Sequence, residues 1–161
     1  MNVRRVRTKM GLAAGAALVG LLWLVIGMVV APGVDAASSS TFFVTTANDS
    51  GPGSLRQALL DANGSPGDDL IVITATGRVD LLSPLPVISE ALTIDGPGAA
   101  LFQVDGQGLF RVFEIGPVAV TITDLTVQHG YASGAADDGA GIRSSGPLTL
   151  DGVVVLGNMA T

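Results

Sequence analysis

The sequence predicts an all-β fold, a right-handed parallel β-helix with a short capping α-helix at its start, preceded by a signal or anchor helix. Three observations carry this expectation. Leu92-Thr93-Ile94-Asp95 returns as Val120-Thr121-Ile122-Thr123 and again as Leu148-Thr149-Leu150-Asp151, each time 28 residues on, and a fixed period of that size marks a stacked repeat. A second register agrees, because Leu125-Thr126-Val127 aligns with Val153-Val154-Val155 at the same offset. Between these segments short apolar runs alternate with turns of Gly, Asp and Asn, giving about three strands to each unit of a solenoid.

The first segment is of a different kind. Arg4, Arg5, Arg7 and Lys9 make up half of the eight basic residues, and an unbroken apolar run follows from Gly11 to Ala31 before Pro32-Gly33. A basic flank, an apolar stretch and small residues after a breaker are the layout of a secretory signal, with cleavage expected after Ala36. The competing reading is an uncleaved membrane anchor, since an apolar run of about 20 residues crosses a bilayer. The residues after Arg4-Arg5 do not continue as a twin-arginine signal, so the basic flank is read as an ordinary one. Either way the remainder is exported, to the cell surface or beyond, and membrane contact is confined to this segment. The division expected is 1–36 for the signal, 37–69 for an N-terminal strand and capping helix, and 70–161 for the coils.

The coils are approached through Thr41 to Thr46, a β-branched and aromatic strand, and a turn over Asn48-Asp49-Ser50-Gly51-Pro52-Gly53. Ser54 then stands where a helix N-cap belongs, with Gln57 as its capping-box partner. Leu55, Ala58, Leu59 and Ala62 share one face at helical spacing, and Asn63-Gly64 ends the helix. Leu70 to Thr74 is a buried strand, and Leu101 to Val104 and Phe110 to Ile115 are further ones. Leu92, Ile94, Val120, Ile122, Leu148 and Leu150 are expected to point inward and stack. A solenoid's first coil exposes an open apolar end, which the amphipathic helix is placed to cover. No comparable cap follows Leu156, so the coils are expected to continue in a longer protein.

Composition narrows the function. After Ala36, thirteen Asp and Glu face only Arg56, Arg78, Arg111 and Arg143, and the whole chain carries a net charge of −6. Phosphate-backbone binding needs clustered cations, so nucleic acid is excluded as a partner, and polyanions are repelled. With no cysteine, disulfides, thiolate metal sites and thiol nucleophiles are excluded.

Candidate chemistry is sparse. Asp137-Asp138 is the acidic pair of a long Gly/Ala-rich turn, and neighbouring carboxylates on such a segment seldom converge on one substrate atom. Asp68-Asp69 is accounted for by the turn at Pro66-Gly67. Asp95-Gly96-Pro97-Gly98 and Asp105-Gly106-Gln107-Gly108 read as turns, lacking the nonapeptide pattern of calcium-binding repeats. His129 is the sole histidine, and without a sequence-evident partner it is read as polar packing at a strand end. No catalytic, cofactor-binding or metal-ligating residue is assigned. Solenoids bind through loops on one face, which makes the turn from Tyr131 to Gly141, with Tyr131, Asp137 and Asp138, the expected contact region.

The stretch from Thr45 to Asn63, with Gly53-Ser54-Leu55-Arg56-Gln57-Ala58 at its centre, resembles the opening motif of large bacterial surface proteins built as right-handed parallel β-helices. Gly139-Ala140-Gly141-Ile142 followed by Val155-Leu156-Gly157-Asn158 resembles the repeats of polymorphic outer-membrane proteins, autotransporter-like adhesins of the pectate-lyase-like fold, with Ala140 in place of a second Gly and Val155 in place of Phe. The resemblance covers most of residues 41–158. It implies a β-helix, a secreted or surface location, an often adhesive role with a carbohydrate or cell-surface ligand, and a turn position for Asn158 where Asn side chains stack along the coils. Polysaccharide lyases and hydrolases share the fold, so the N-terminal part of a carbohydrate-active enzyme is the alternative.

Overall fold

The structure, a computed structural model, describes residues 38–134 and 138–161. The expected signal with its cleavage site at Ala36, and Asp137, lie outside the described residues. Among those described, no helix is long and apolar enough to cross a membrane.

The chain opens with β1 (Thr41–Val44) and α1 (Leu55–Asn63), then winds through β2 (Asp69–Ile73) and β3 (Gly77–Asp80). The next turns of the solenoid contribute β4 (Leu92–Asp95), β5 (Phe102–Asp105) and β6 (Phe113–Ile115), followed by β7 (Val120–Thr123), β8 (Thr126–Gln128), β9 (Tyr131–Ala132) and β10 (Ile142–Ser144). Last come β11 (Leu148–Asp151), β12 (Val154–Leu156) and β13 (Met159–Ala160). The named strands pair in parallel. They stack as β1-β2-β4-β7-β11, β3-β5-β8-β12, β6-β10 and β9-β13. An isolated bridge from Ile88 to Ile115 carries the third stack one rung further. The expected parallel β-helix is the fold, and β1 pairs directly with β2, so residues 41–69 supply its first rung as well as its helix.

Register explains which side chains were selected. Phe42, Ile71, Ile94, Ile122 and Leu150 lie on successive rungs of one sheet. Val79, Val104, Val127 and Val155 do the same in the second. Branched side chains with stiff χ1 suit such a half-buried pleat, because they lose little rotamer freedom when stacked. Ile71, Ile94, Ile122, Val79, Val104 and Val127 are fully buried, each contributing roughly 1.5–3 kcal/mol by removal from water. On the rung of β11 and β12, Leu150, Val154, Val155 and Leu156 are exposed.

The period is less regular than the sequence suggests. Ile94 to Ile122 spans 28 residues, but Ile71 to Ile94 spans 23. In the second sheet Val104 to Val127 also spans 23. The corner between the two sheets varies, taking three residues after β2, six after β4 and two after β7, and the last two set the 23-residue spacing of Val104 and Val127. Corners absorb insertions while the rungs keep their register.

The helix is built much as expected. Ser54 Oγ accepts the Gln57 N–H at 3.2 Å, and Leu55, Ala58, Leu59 and Ala62 are buried in the same core as Val44, Ile71 and Ile73. The capping box is only half made. The Gln57 amide donates to Asp61 Oδ1 at 2.7 Å, and the Ser54 N–H is taken by the Gly51 carbonyl. Two polar side chains lash the helix to the coils. Arg56 donates to the Asp49 carboxylate at 2.7 Å and to the Ser83 carbonyl at 2.8 Å. Asn63 receives the Ser89 N–H at 2.9 Å and donates to the Val87 carbonyl at 2.7 Å. The residues quoted for the opening motif thus serve the cap, the core and the clamps.

Asn158 also acts between coils, although no asparagine ladder forms. Its Oδ1 accepts the Gly130 N–H at 2.6 Å and its Nδ2 donates to the Val127 carbonyl at 3.1 Å. Residue 130, one repeat earlier, is a glycine, and the amide fills that space. A Cβ at Gly130 or Gly141 would come within 2.7 or 2.8 Å of Asn158, so the glycines and the asparagine fit as one unit.

Candidate functional site

A groove of about 430 Å³ lies at the exit of the second sheet, lined by Arg78, Asp105, Gln107, His129, Tyr131 and Met159 with Gly108, Gly130 and Gly157 between them. These residues come from successive coils, because the register sets Asp80 beside Asp105 and Asp105 beside Gln128. The groove therefore crosses the rungs along the stacking direction, at about 4.8 Å per rung.

Asp105 organises it. The last residue of β5, its side chain is 3% exposed. One oxygen accepts the Gln107 N–H at 2.8 Å. The other receives the Gln128 amide and His129 Nδ1, each at 2.9 Å. Arg78 Nε lies 3.8 Å away. Burial works against the charge on this carboxylate, but the hydrogen bonds from His129, Gln107 and Gln128 outweigh it and hold its pKa below the ordinary carboxylate value. Arg78 is engaged mainly with Asp80 at 2.6 Å, and that hydrogen bond raises the guanidinium pKa further.

The backbone here is unusual. Among the described residues three non-glycine residues have positive φ, Gln107 at 58°, Asp124 at 52° and His129 at 48°, and the first and last line the groove. Asp124 precedes by one repeat Gly152, which has φ 63°, and aspartate tolerates the left-handed region better than most residues. Left-handed backbone at a non-glycine residue persists where surrounding contacts over-determine it, and such residues gather at functional sites.

Of the three contact residues expected from sequence, only Tyr131 reaches the groove. Its hydroxyl is 3.4 Å from Thr161 Oγ1. Asp138 is drawn elsewhere, its carbonyl receiving Arg111 Nη2 at 3.4 Å while the neighbouring Gly139 carbonyl receives Arg111 Nε at 3.0 Å. His129, read from sequence as polar packing at a strand end, follows β8 directly and has Asp105 as its partner, and its imidazole is 51% exposed in the groove. The turn reading of Asp105-Gly106-Gln107-Gly108 holds, since the Asp105 carboxylate receives the Gln107 N–H, but the same carboxylate also organises the site. Asp69 is more than a turn residue as well. It is buried as the first residue of β2, where Oδ1 accepts the Ser40 N–H at 2.7 Å and Oδ2 has no partner among the described residues.

Among the described residues no cluster of His, Cys, Asp and Glu is arranged to hold a metal ion. The groove offers a carboxylate-oriented imidazole, a guanidinium shared between two carboxylates, a phenol and a thioether. That set suits a polar ligand with an apolar face. Compared with protein-family models, curated proteins and solved structures, the chain matches none.

Proposed function

We propose that this chain is a β-helical module of an exported cell-surface protein of the adhesive kind that its motifs resemble, and that it binds saccharide in the groove beside Tyr131. The observation that carries the reading is the groove itself, which crosses several coils and places Tyr131 and Met159 next to Arg78 and His129. Saccharides present apolar ring faces and hydroxyl edges, and sites for them pair aromatic or apolar surface with a few placed polar groups. Export is supported by the basic flank and apolar run of residues 1–36.

The His129–Asp105 pair favours a second reading, the N-terminal part of a carbohydrate-active enzyme, since an imidazole oriented by a carboxylate is suited to move protons. Against it, Asp105 is the one carboxylate among the groove-lining residues, whereas glycoside hydrolysis takes a pair. An oligosaccharide array probed with the labelled chain tests the binding reading. Retention of one glycan class, reduced about tenfold by Tyr131→Ala, supports it, and equal retention of the variant contradicts it. Shortened oligosaccharides after incubation would favour the enzyme.

A further inference from the structure

We propose that His129 is the specificity-determining residue of this groove, its Nε2 accepting a hydroxyl of a neutral saccharide, so that uncharged sugars are taken and acidic ones refused. The proposal rests on reading the groove as a saccharide site.

The backbone gives the first reason. Register sets Gln128 between Asp105 and Leu156, which places His129 between Gly106 on one coil and Gly157 on the next. Gly157 has φ 63°, close to the 48° of His129. Glycine adopts this conformation at little cost, whereas a residue with a Cβ is strained there. The turn needs only a glycine, yet it carries the one imidazole of the chain.

The ring's surroundings give the second. A Cβ on Gly157 would approach His129 Cδ2 to 3.0 Å and Nε2 to 3.4 Å, so the bare glycine is what leaves this edge of the ring open. Nδ1 is committed to Asp105 at 2.9 Å. A carboxylate only accepts, so Nδ1 carries the proton and Nε2 is the nitrogen left to meet a ligand. Nε2 has no hydrogen-bond partner among the described residues. One nitrogen anchored and the other open, on a half-exposed ring in a groove, is the arrangement of a ligand contact.

Charge gives the third. The ionisable groups lining the groove beside the ring are Asp105 on β5, Arg78 on β3 and the phenol of Tyr131 on β9, and Arg78 is paired in turn with Asp80. Two carboxylates, Asp80 and Asp105, share the one guanidinium of Arg78, on a chain of net charge −6. Hydroxyl-rich neutral rings meet no repulsion, and uronates do.

Because the chain has a single histidine, its imidazole nitrogens give one unambiguous pair of NMR signals. The purified chain is titrated with cellohexaose and chitotriose as neutral probes and with trigalacturonate as the acidic one. A neutral probe is expected to shift the Nε2 signal and leave Nδ1 in place, with trigalacturonate at least tenfold weaker. His129→Gly is expected to bind the neutral probe at least tenfold more weakly while melting no lower than the native chain. Unchanged affinity in His129→Gly, or tighter binding of trigalacturonate, overturns the role of His129 and leaves the groove as a site. If no probe shifts any groove residue, the saccharide reading of the groove falls, and this proposal with it.

Discussion

Ile122 is fully buried on a middle rung, stacked between Ile94 and Leu150. Ile122→Ala removes three carbons from that position, worth about 2.4 kcal/mol at ~0.8 kcal/mol per buried methylene. Neighbours held by their own ladders cannot collapse into the gap, and the residual cavity brings the cost to about 3–4 kcal/mol. Leu150→Ala is the control. That residue occupies the same ladder but is 43% exposed, so its truncation costs roughly half as much or less, from transfer alone. Urea unfolding followed by circular dichroism reads both changes. With a slope of about 2 kcal/mol per molar, Ile122→Ala lowers the midpoint by about 1.5–2 M and Leu150→Ala by well under 1 M. Equal shifts for the two variants, or less than about 1 kcal/mol for Ile122→Ala, would refute the stacked-ladder reasoning.

Three further outcomes follow from particular contacts. Ser54→Ala removes the oxygen that receives the Gln57 N–H and is expected to cost about 1 kcal/mol. Gln57→Ala loses only a surface bond to Asp61 and leaves the melting temperature nearly unchanged; comparable losses would mean that the full capping box operates. Arg56→Lys is expected to destabilise nearly as much as Arg56→Ala, because one ammonium cannot reproduce a fork whose Nε reaches the Asp49 carbonyl, Nη1 the Pro84 carbonyl and Nη2 the Asp49 carboxylate and Ser83 carbonyl; melting of the lysine variant at the native temperature contradicts this. Asp105 has a folded-state pKa below its unfolded value, so its contribution is fully present above the unfolded carboxylate value of about 3.9 and lost as pH falls through the lower folded value. The melting-temperature gap between the native chain and Asp105→Asn is therefore expected to hold above about pH 4 and to narrow below it, and a gap that widens on acidification contradicts the assignment.

The fold was legible wherever a physical requirement repeats. Ile94, Ile122 and Leu150 recur because each rung must offer an apolar residue to the next, and Ser54 with Leu55, Ala58, Leu59 and Ala62 announces a capped amphipathic helix that the structure contains. The rungs formed by β1 and β2 were less visible, because Ile71 precedes Ile94 by 23 residues and a corner of different length breaks the period. The same cause hid the site. His129 meets Asp105, 24 residues earlier, through a rung spacing that the 28-residue repeat does not give. The clue available in the sequence was the alignment of His129 with Gly157 one repeat later, a side chain standing where the next coil has none. The long turn announced by its composition supplied Tyr131 to the groove, whereas the Asp138 carbonyl receives Arg111 instead.

The central claim is that equivalent segments lie side by side as parallel, in-register rungs. The chain has no cysteine, so paired substitutions at the outward threonines report register without interference. Thr93 and Thr121 are register partners, as are Thr121 and Thr149; adjacent rungs put such pairs about 4.8 Å apart, whereas Thr93 and Thr123, two positions out of register, are about 8 Å apart. A disulfide cannot close when the Cα atoms are beyond about 7 Å. Mild oxidation should therefore cross-link the Thr93→Cys/Thr121→Cys and Thr121→Cys/Thr149→Cys chains and spare Thr93→Cys/Thr123→Cys. Cross-linking of the out-of-register pair in preference to the other two would contradict the parallel β-helix.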